Sequence, residues 1–84
     1  MNEEQLIVKD ALKAISLTGE HGQLKSLLLD ALRTPDGQKL NPEQQDVIWG
    51  ILTGRGWIKG RIEPVWHNTR WSITATGICA LELM

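Results

Sequence analysis

The stretch Gly54–Gly77, GRGWIKGRIEPVWHNTRWSITATG, constrains this chain more than any other. An apolar run beginning at Trp57-Ile58 and a second one, Arg70-Trp71-Ser72-Ile73-Thr74, are bracketed by glycines and separated by a loop too short for a crossover. Two strands joined so closely pair only as an antiparallel hairpin. Alternation puts Ile58 and Ile62 on one face of the first strand and Lys59, Arg61 and Glu63 on the other. In the return strand Trp71 and Ile73 point to the core, while Arg70, Ser72 and Thr74 point outward. Trp57, Ile62, Trp71 and Ile73 are therefore expected to pin the ribbon onto whatever lies upstream. Pro64 weakens pairing near the tip, and Trp66-His67-Asn68-Thr69 is the expected turn, with Asn68 suited to left-handed backbone.

Upstream, the periodicity is helical. Residues 3–18 predict a first helix capped by Asn2, with Glu3 and Glu4 in the first turn and Gly19 at the end. At about 100° per residue, Leu6, Ile7, Val8, Ala11, Leu12, Ala14, Ile15 and Leu17 cover roughly 240° of its circumference, more than one domain face requires. Two explanations stand: helix 3–18 forms a homodimer interface, or Leu6 and Leu17 are half-exposed ends. Gly19-Glu20-His21-Gly22 is a connector in which His21 is a solvated loop residue.

A second helix is expected over Gln23–Arg33, with Leu24, Leu27, Leu28, Ala31 and Leu32 on its apolar face and Leu29 off that stripe. Thr34-Pro35-Asp36-Gly37 matches a type I turn, and Leu40 is the next apolar anchor. Asn41-Pro42-Glu43-Gln44 is a strong helix start, an N-cap followed by Pro and a capping-box Gln. The third helix then runs to about Thr53, burying Val47, Ile48, Ile51 and Leu52, with Arg55 and Gly56 closing it. A short final helix, Ile78 to Leu83, ends the chain.

Eighty-four residues form one domain, 1–84, with no room for a second core. Residues 1–54 carry five Lys or Arg against eight Asp or Glu, whereas residues 55–84 carry four (Arg55, Lys59, Arg61, Arg70) against two. The hairpin is thus the basic part of a chain whose net charge is −1. Cys79 is the only cysteine, so a reducing, cytoplasmic setting is expected, and nothing reads as a secretory signal or a membrane span. The expected fold class is α+β, mainly α.

The order of helix, helix, helix, two-stranded ribbon and short helix resembles the winged helix-turn-helix family. Leu52-Thr53-Gly54-Arg55-Gly56-Trp57-Ile58 is similar to the junction between recognition helix and wing in those regulators. Trp71-Ser72-Ile73-Thr74-Ala75-Thr76-Gly77 resembles the end of their second wing strand. The resemblance covers nearly the whole chain and implies a small bacterial or phage-type transcription regulator. Its second helix (Gln23–Arg33) would be the support and its third (Pro42–Thr53) the recognition helix. Gln44, Gln45, Thr53 and Arg55 would then face duplex DNA from the third helix, and Lys59, Arg61, His67 and Arg70 from the wing.

The sequence departs from that pattern in two places. The outward face of the third helix offers Pro42, Glu43, Asp46, Gly50 and Thr53, and two carboxylates repel a polyanion. The connector Thr34–Asn41 also exceeds the 3–4 residues of a simple helix-turn-helix. These departures motivate an alternative, a protein-interaction module in which Trp49, Gly50 and Trp66 form the interface, unless Trp49 simply packs over the hairpin. No constellation suggests an enzyme: there is no phosphate-cradling glycine loop and no nucleophile beside a base, Cys79 and His67 lying in separate elements. No cofactor or metal is expected.

Overall fold

The computed structural model describes residues 2–84, apart from the side chain of Glu20. It is an α+β fold, mainly helical, with elements α1 (Glu3–Ser16), a 3-10 turn (Gly19–His21), β1 (Gln23–Leu24), α2 (Lys25–Ala31), α3 (Pro42–Gly54), β2 (Ile58–Ile62), β3 (Thr69–Ile73) and α4 (Ala75–Leu83). No described helix is long and apolar enough to cross a membrane.

Both long helices start on a reciprocal cap. The Asn2 side chain accepts from the Gln5 amide at 2.8 Å and the Gln5 side chain accepts from the Asn2 amide at 3.1 Å. Asn41 and Gln44 repeat the arrangement at 2.8 and 3.0 Å, with Pro42 in the first turn. Each pair satisfies two backbone donors that a helix start leaves open.

Helix α1 is the centre of the core. Ile7, Val8, Ala11, Leu12 and Ile15 are all buried, and α2, α3, α4 and β3 each pack against it. That arrangement accounts for its wide apolar circumference within a single chain, because α4 covers a flank that three helices and a ribbon would leave open. Leu6 and Leu17 are exposed at its two ends. The helix stops at Ser16, two residues short of expectation, where Thr18 Oγ1 donates to the Ile15 carbonyl at 2.6 Å.

The largest correction concerns Gln23 and Leu24. They open no helix but form a strand antiparallel to β3, with Gln23 opposite Trp71 and Leu24 opposite Arg70. The sheet is therefore three-stranded, in the order β1-β3-β2, rather than a two-stranded ribbon. Gly22 makes this possible: its φ is +69°, and a Cβ there would lie 2.5 Å from the Trp71 carbonyl oxygen. Helix α2 starts only at Lys25 and turns a different face to the core from the one the apolar spacing predicts. Leu28, Leu29 and Leu32 are buried while Leu27 and Ala31 are exposed, reversing the expected roles of Leu27 and Leu29.

Three further expectations need correction. Val47 is exposed, because α3 turns only Ile48 and Leu52 fully inward. Ile62 lies on the same face as Ile58, as alternation requires, but the strand has run beyond the helices by that point and leaves it in water. The left-handed residue of the ribbon turn is His67 (φ 57°), not Asn68. By contrast, Leu40 is buried, and the Thr34–Gly37 turn closes with Gly37 N donating to the Thr34 carbonyl at 2.8 Å.

Thr74 ends β3 and caps α4, which starts three residues earlier than expected. Its hydroxyl accepts from the Gly77 amide at 3.0 Å and donates to the Gly56 carbonyl at 2.7 Å. Its own amide donates to the Trp57 carbonyl at 2.9 Å. Gly77 lies so close to that carbonyl that a Cβ would overlap it. The Thr-x-x-Gly spacing thus locks the start of α4 onto the start of β2.

Candidate nucleic-acid interface

The ribbon has two chemically different faces, set by its register. Ile58 stands opposite Ile73, Gly60 opposite Trp71 and Ile62 opposite Thr69 on the inner face; Lys59 opposite Ser72 and Arg61 opposite Arg70 make the outer face. On the inner face the Trp71 indole lies across Gly60, where a Cβ would come within 3.1 Å of the ring. Trp49 of α3 meets that indole edge to face, with centroids 4.7 Å apart and planes at 86°, and the Lys25 Nζ lies 5.0 Å from the Trp49 ring centroid. Trp49 is half-buried there, as peripheral core. Helix α3 therefore lies on the inner side of the sheet.

The cations of β2 and β3 lie on the other side. Lys59, Arg61 and Arg70 line a groove of about 500 Å³ together with His21, Ser16 and Ser72, bounded by Gly19, Ile73 and Ile78. Like charges directly across an antiparallel pair destabilise it, by a few tenths of a kcal/mol to about 1 kcal/mol. The Arg61–Arg70 pairing is relieved at one member only: Arg70 Nε donates to Glu63 Oε1 at 2.8 Å, and its Nη1 reaches the Gly22 carbonyl at 3.5 Å. Among the described residues this is the one ion pair on the face, leaving Lys59 and Arg61 without a carboxylate.

Residues expected to share one DNA-facing surface are thus divided. Gln44 uses its Oε1 to cap α3, Thr53 Oγ1 donates to the Trp49 carbonyl at 2.9 Å, and the Arg55 guanidinium lies 5.6 Å from the Trp57 ring centroid just beyond the helix end. Gln45 lines a second groove, of about 600 Å³, on the inner side of the ribbon with Lys25, Ser26, Asn68 and Thr69. The outward surface of α3 is left to Glu43, Asp46, Val47 and Gly50. Only Lys59, Arg61 and Arg70 come together as expected, while His67 stands at the ribbon tip.

No family model, no curated protein and no solved structure matches this chain. The site's chemistry therefore rests on its own geometry.

His21 and Ser16 were not expected in the basic groove. The signal for them is tertiary: only the pairing of β1 with β3 carries the connector over the ribbon's outer face. The ribbon tip is ordered by its backbone, with Glu63 N donating to the Asn68 carbonyl at 2.8 Å and His67 N donating to the Glu63 carbonyl at 3.0 Å. Among the described residues no group of three His, Cys, Asp or Glu could hold a metal ion.

Proposed function

We propose that this chain is a winged-helix domain that binds duplex DNA as a small transcriptional regulator, with the ribbon as its principal contact element. The helices and ribbon follow one another in the order that the family resemblance implies, with β1 as an added strand. The observation that carries the DNA reading is the outer ribbon face, where Lys59, Arg61 and Arg70 converge on one groove beside His21 and, among the described side chains, Glu63 is the one carboxylate paired with them. Such a face neutralises phosphates, the sequence-independent source of DNA affinity. On the inner side of the same ribbon, Gln45, Asn68, Thr69 and Lys25 add amide, hydroxyl and ammonium donors, with the Asp30 carboxylate in the same groove offsetting Lys25. The distal end of the β2–β3 hairpin, beyond the two residues that β1 pairs, is two strands wide and suits insertion into a DNA groove.

The test is a salt titration of binding to a labelled duplex of mixed sequence. Two to three neutralised phosphates give a slope of log K against log salt of about −1.8 to −2.7. Replacing Lys59 and Arg61 together with Ala flattens it to about −0.9 or less, while Glu43→Ala leaves it unchanged. Absence of duplex binding at about 50 mM salt refutes the reading.

One observation favours a second reading, a protein-docking module. Val47 is 49% exposed on α3 between Glu43 and Asp46 on one side and Gly50 on the other, and space around Gly50 is open. Gly50→Trp would block that surface. Under this reading it abolishes partner binding and leaves any duplex affinity intact.

A further inference from the structure

The ribbon tip carries apolar side chains that the fold does not use. Ile62, Val65 and Trp66 are 66%, 74% and 72% exposed, whereas Trp49, Trp57 and Trp71 all pack against the core. The tip is nevertheless held in shape. Two backbone hydrogen bonds close residues 63–68, and the Glu63 carboxylate is drawn back along the ribbon by Arg70 at 2.8 Å. With that carboxylate drawn away, the indole of Trp66 and the branched aliphatic groups of Val65 and Ile62 are the large apolar side chains of the tip, beside His67 and Asn68, with Lys59 and Arg61 behind them on one face and Gln45, Lys25 and Asp30 on the other.

An apolar knob backed by cations fits a partner that is anionic outside and apolar within. The cations run lengthwise along the ribbon instead of ringing its tip, so they suit a linear polyanion better than a flat charged sheet. A duplex meets both conditions, with phosphates outside and a base stack within. We infer that Trp66, backed by Val65 and Ile62, is a wedge that enters the base stack of bound duplex DNA and unstacks one step, bending the helix. This inference rests on the DNA-binding reading and goes beyond it, since phosphate neutralisation alone requires no distortion. Pyrimidine–purine steps, which unstack most readily, are the preferred entry points.

The experiment uses a duplex with 2-aminopurine beside a central TA step and a donor and acceptor dye at its ends. Binding of the wild-type protein raises 2-aminopurine emission and shortens the end-to-end distance. Trp66→Ala loses both signals and about tenfold in affinity, the scale of one lost base–aromatic stack. Its salt slope and thermal midpoint stay at wild-type values, because the side chain contacts neither the groove cations nor the core. Trp66→Phe retains both signals in part. Wild-type binding with silent 2-aminopurine and a straight duplex overturns the wedge while leaving phosphate binding intact. No wild-type binding at low salt removes the DNA reading and the wedge with it. A blue shift of tryptophan emission on phosphatidylserine vesicles, lost in Trp66→Ala and without any duplex distortion, overturns the wedge in favour of a lipid surface.

Discussion

Glu63→Gln is the most informative single change for the phosphate-binding face. In the native chain Arg70 is held by Glu63 at 2.8 Å, so among the described side chains Lys59 and Arg61 are the two cations there outside an ion pair. Two phosphate contacts predict a slope of about −1.8, hence an affinity loss of about 12-fold between about 50 and 200 mM salt. The amide removes one negative charge and releases Arg70 to a third contact. The slope then steepens to about −2.7 and the loss over the same range grows to about 40-fold. Stability changes little. The pair is partly exposed, with side chains at 35% and 25% accessibility, and such pairs contribute about 0–1 kcal/mol. The two backbone bonds Glu63 makes at the tip do not involve its carboxylate. Fluorescence anisotropy across the salt series measures the slope, and thermal unfolding followed by circular dichroism checks the fold. An unchanged or shallower slope in a folded variant would refute the assignment of Arg70 and Glu63 to the DNA-facing side.

Other expectations test the architecture. Gly77→Ala forces a methyl group against the Trp57 carbonyl at the start of α4 and destabilises the domain by about 2–3 kcal/mol, lowering the melting midpoint by roughly 10–20 °C. Trp49→Ala removes the edge-to-face partner of Trp71 and the ring beneath Lys25, costing about 2 kcal/mol with little change in salt slope; loss of partner capture without loss of stability would instead favour the docking surface. Sedimentation equilibrium returns the 9.4 kDa monomer mass at micromolar concentration, because α1 spends its apolar circumference on α2, α3, α4 and β3; a dimer mass would show that exposed Leu17 and Leu83 are covered by a second copy.

Local chemistry made much of this fold readable. Asn41-Pro42-Glu43-Gln44 announces a helix start because each residue answers a backbone requirement within one turn, and Thr34-Pro35-Asp36-Gly37 does the same for its turn. Gln23-Leu24 failed for the opposite reason. A two-residue strand has no period to detect, and what holds it extended is the backbone of Trp71 and Arg70, far along the chain. Counting Leu24 into the helix also misplaced Leu27 and Leu29, since it centred the apolar stripe on the side of Leu24, Leu27 and Ala31, whereas the buried stripe runs through Leu28, Leu29 and Leu32. Ile62 shows a different limit: alternation gives the face of a residue but not whether anything packs on it.

For the candidate site, the decisive clue was present in the sequence. Ile58 and Lys59 cannot share a face, so once Ile58 is in the core with α3, Lys59 and Arg61 must lie on the far side of the sheet. Treating α3 and the basic ribbon as one surface overlooked that parity. The recruitment of His21 was not readable in the same way, because it depends on β1 bringing a distant connector over the ribbon.

Placing β3 in the middle leaves β2 with one unpaired edge and β1 as the other margin of the sheet. Open edges invite strand addition and aggregation. Here β1 is only two residues long, while β2 breaks its apolar run with Lys59, Gly60 and Arg61 and is followed by Pro64. Two copies aligned edge to edge along β2 would bring these like charges together. Variants that neutralise Lys59 and Arg61 therefore carry a second consequence: they remove a safeguard against self-assembly, and their solubility belongs beside any affinity measured for them.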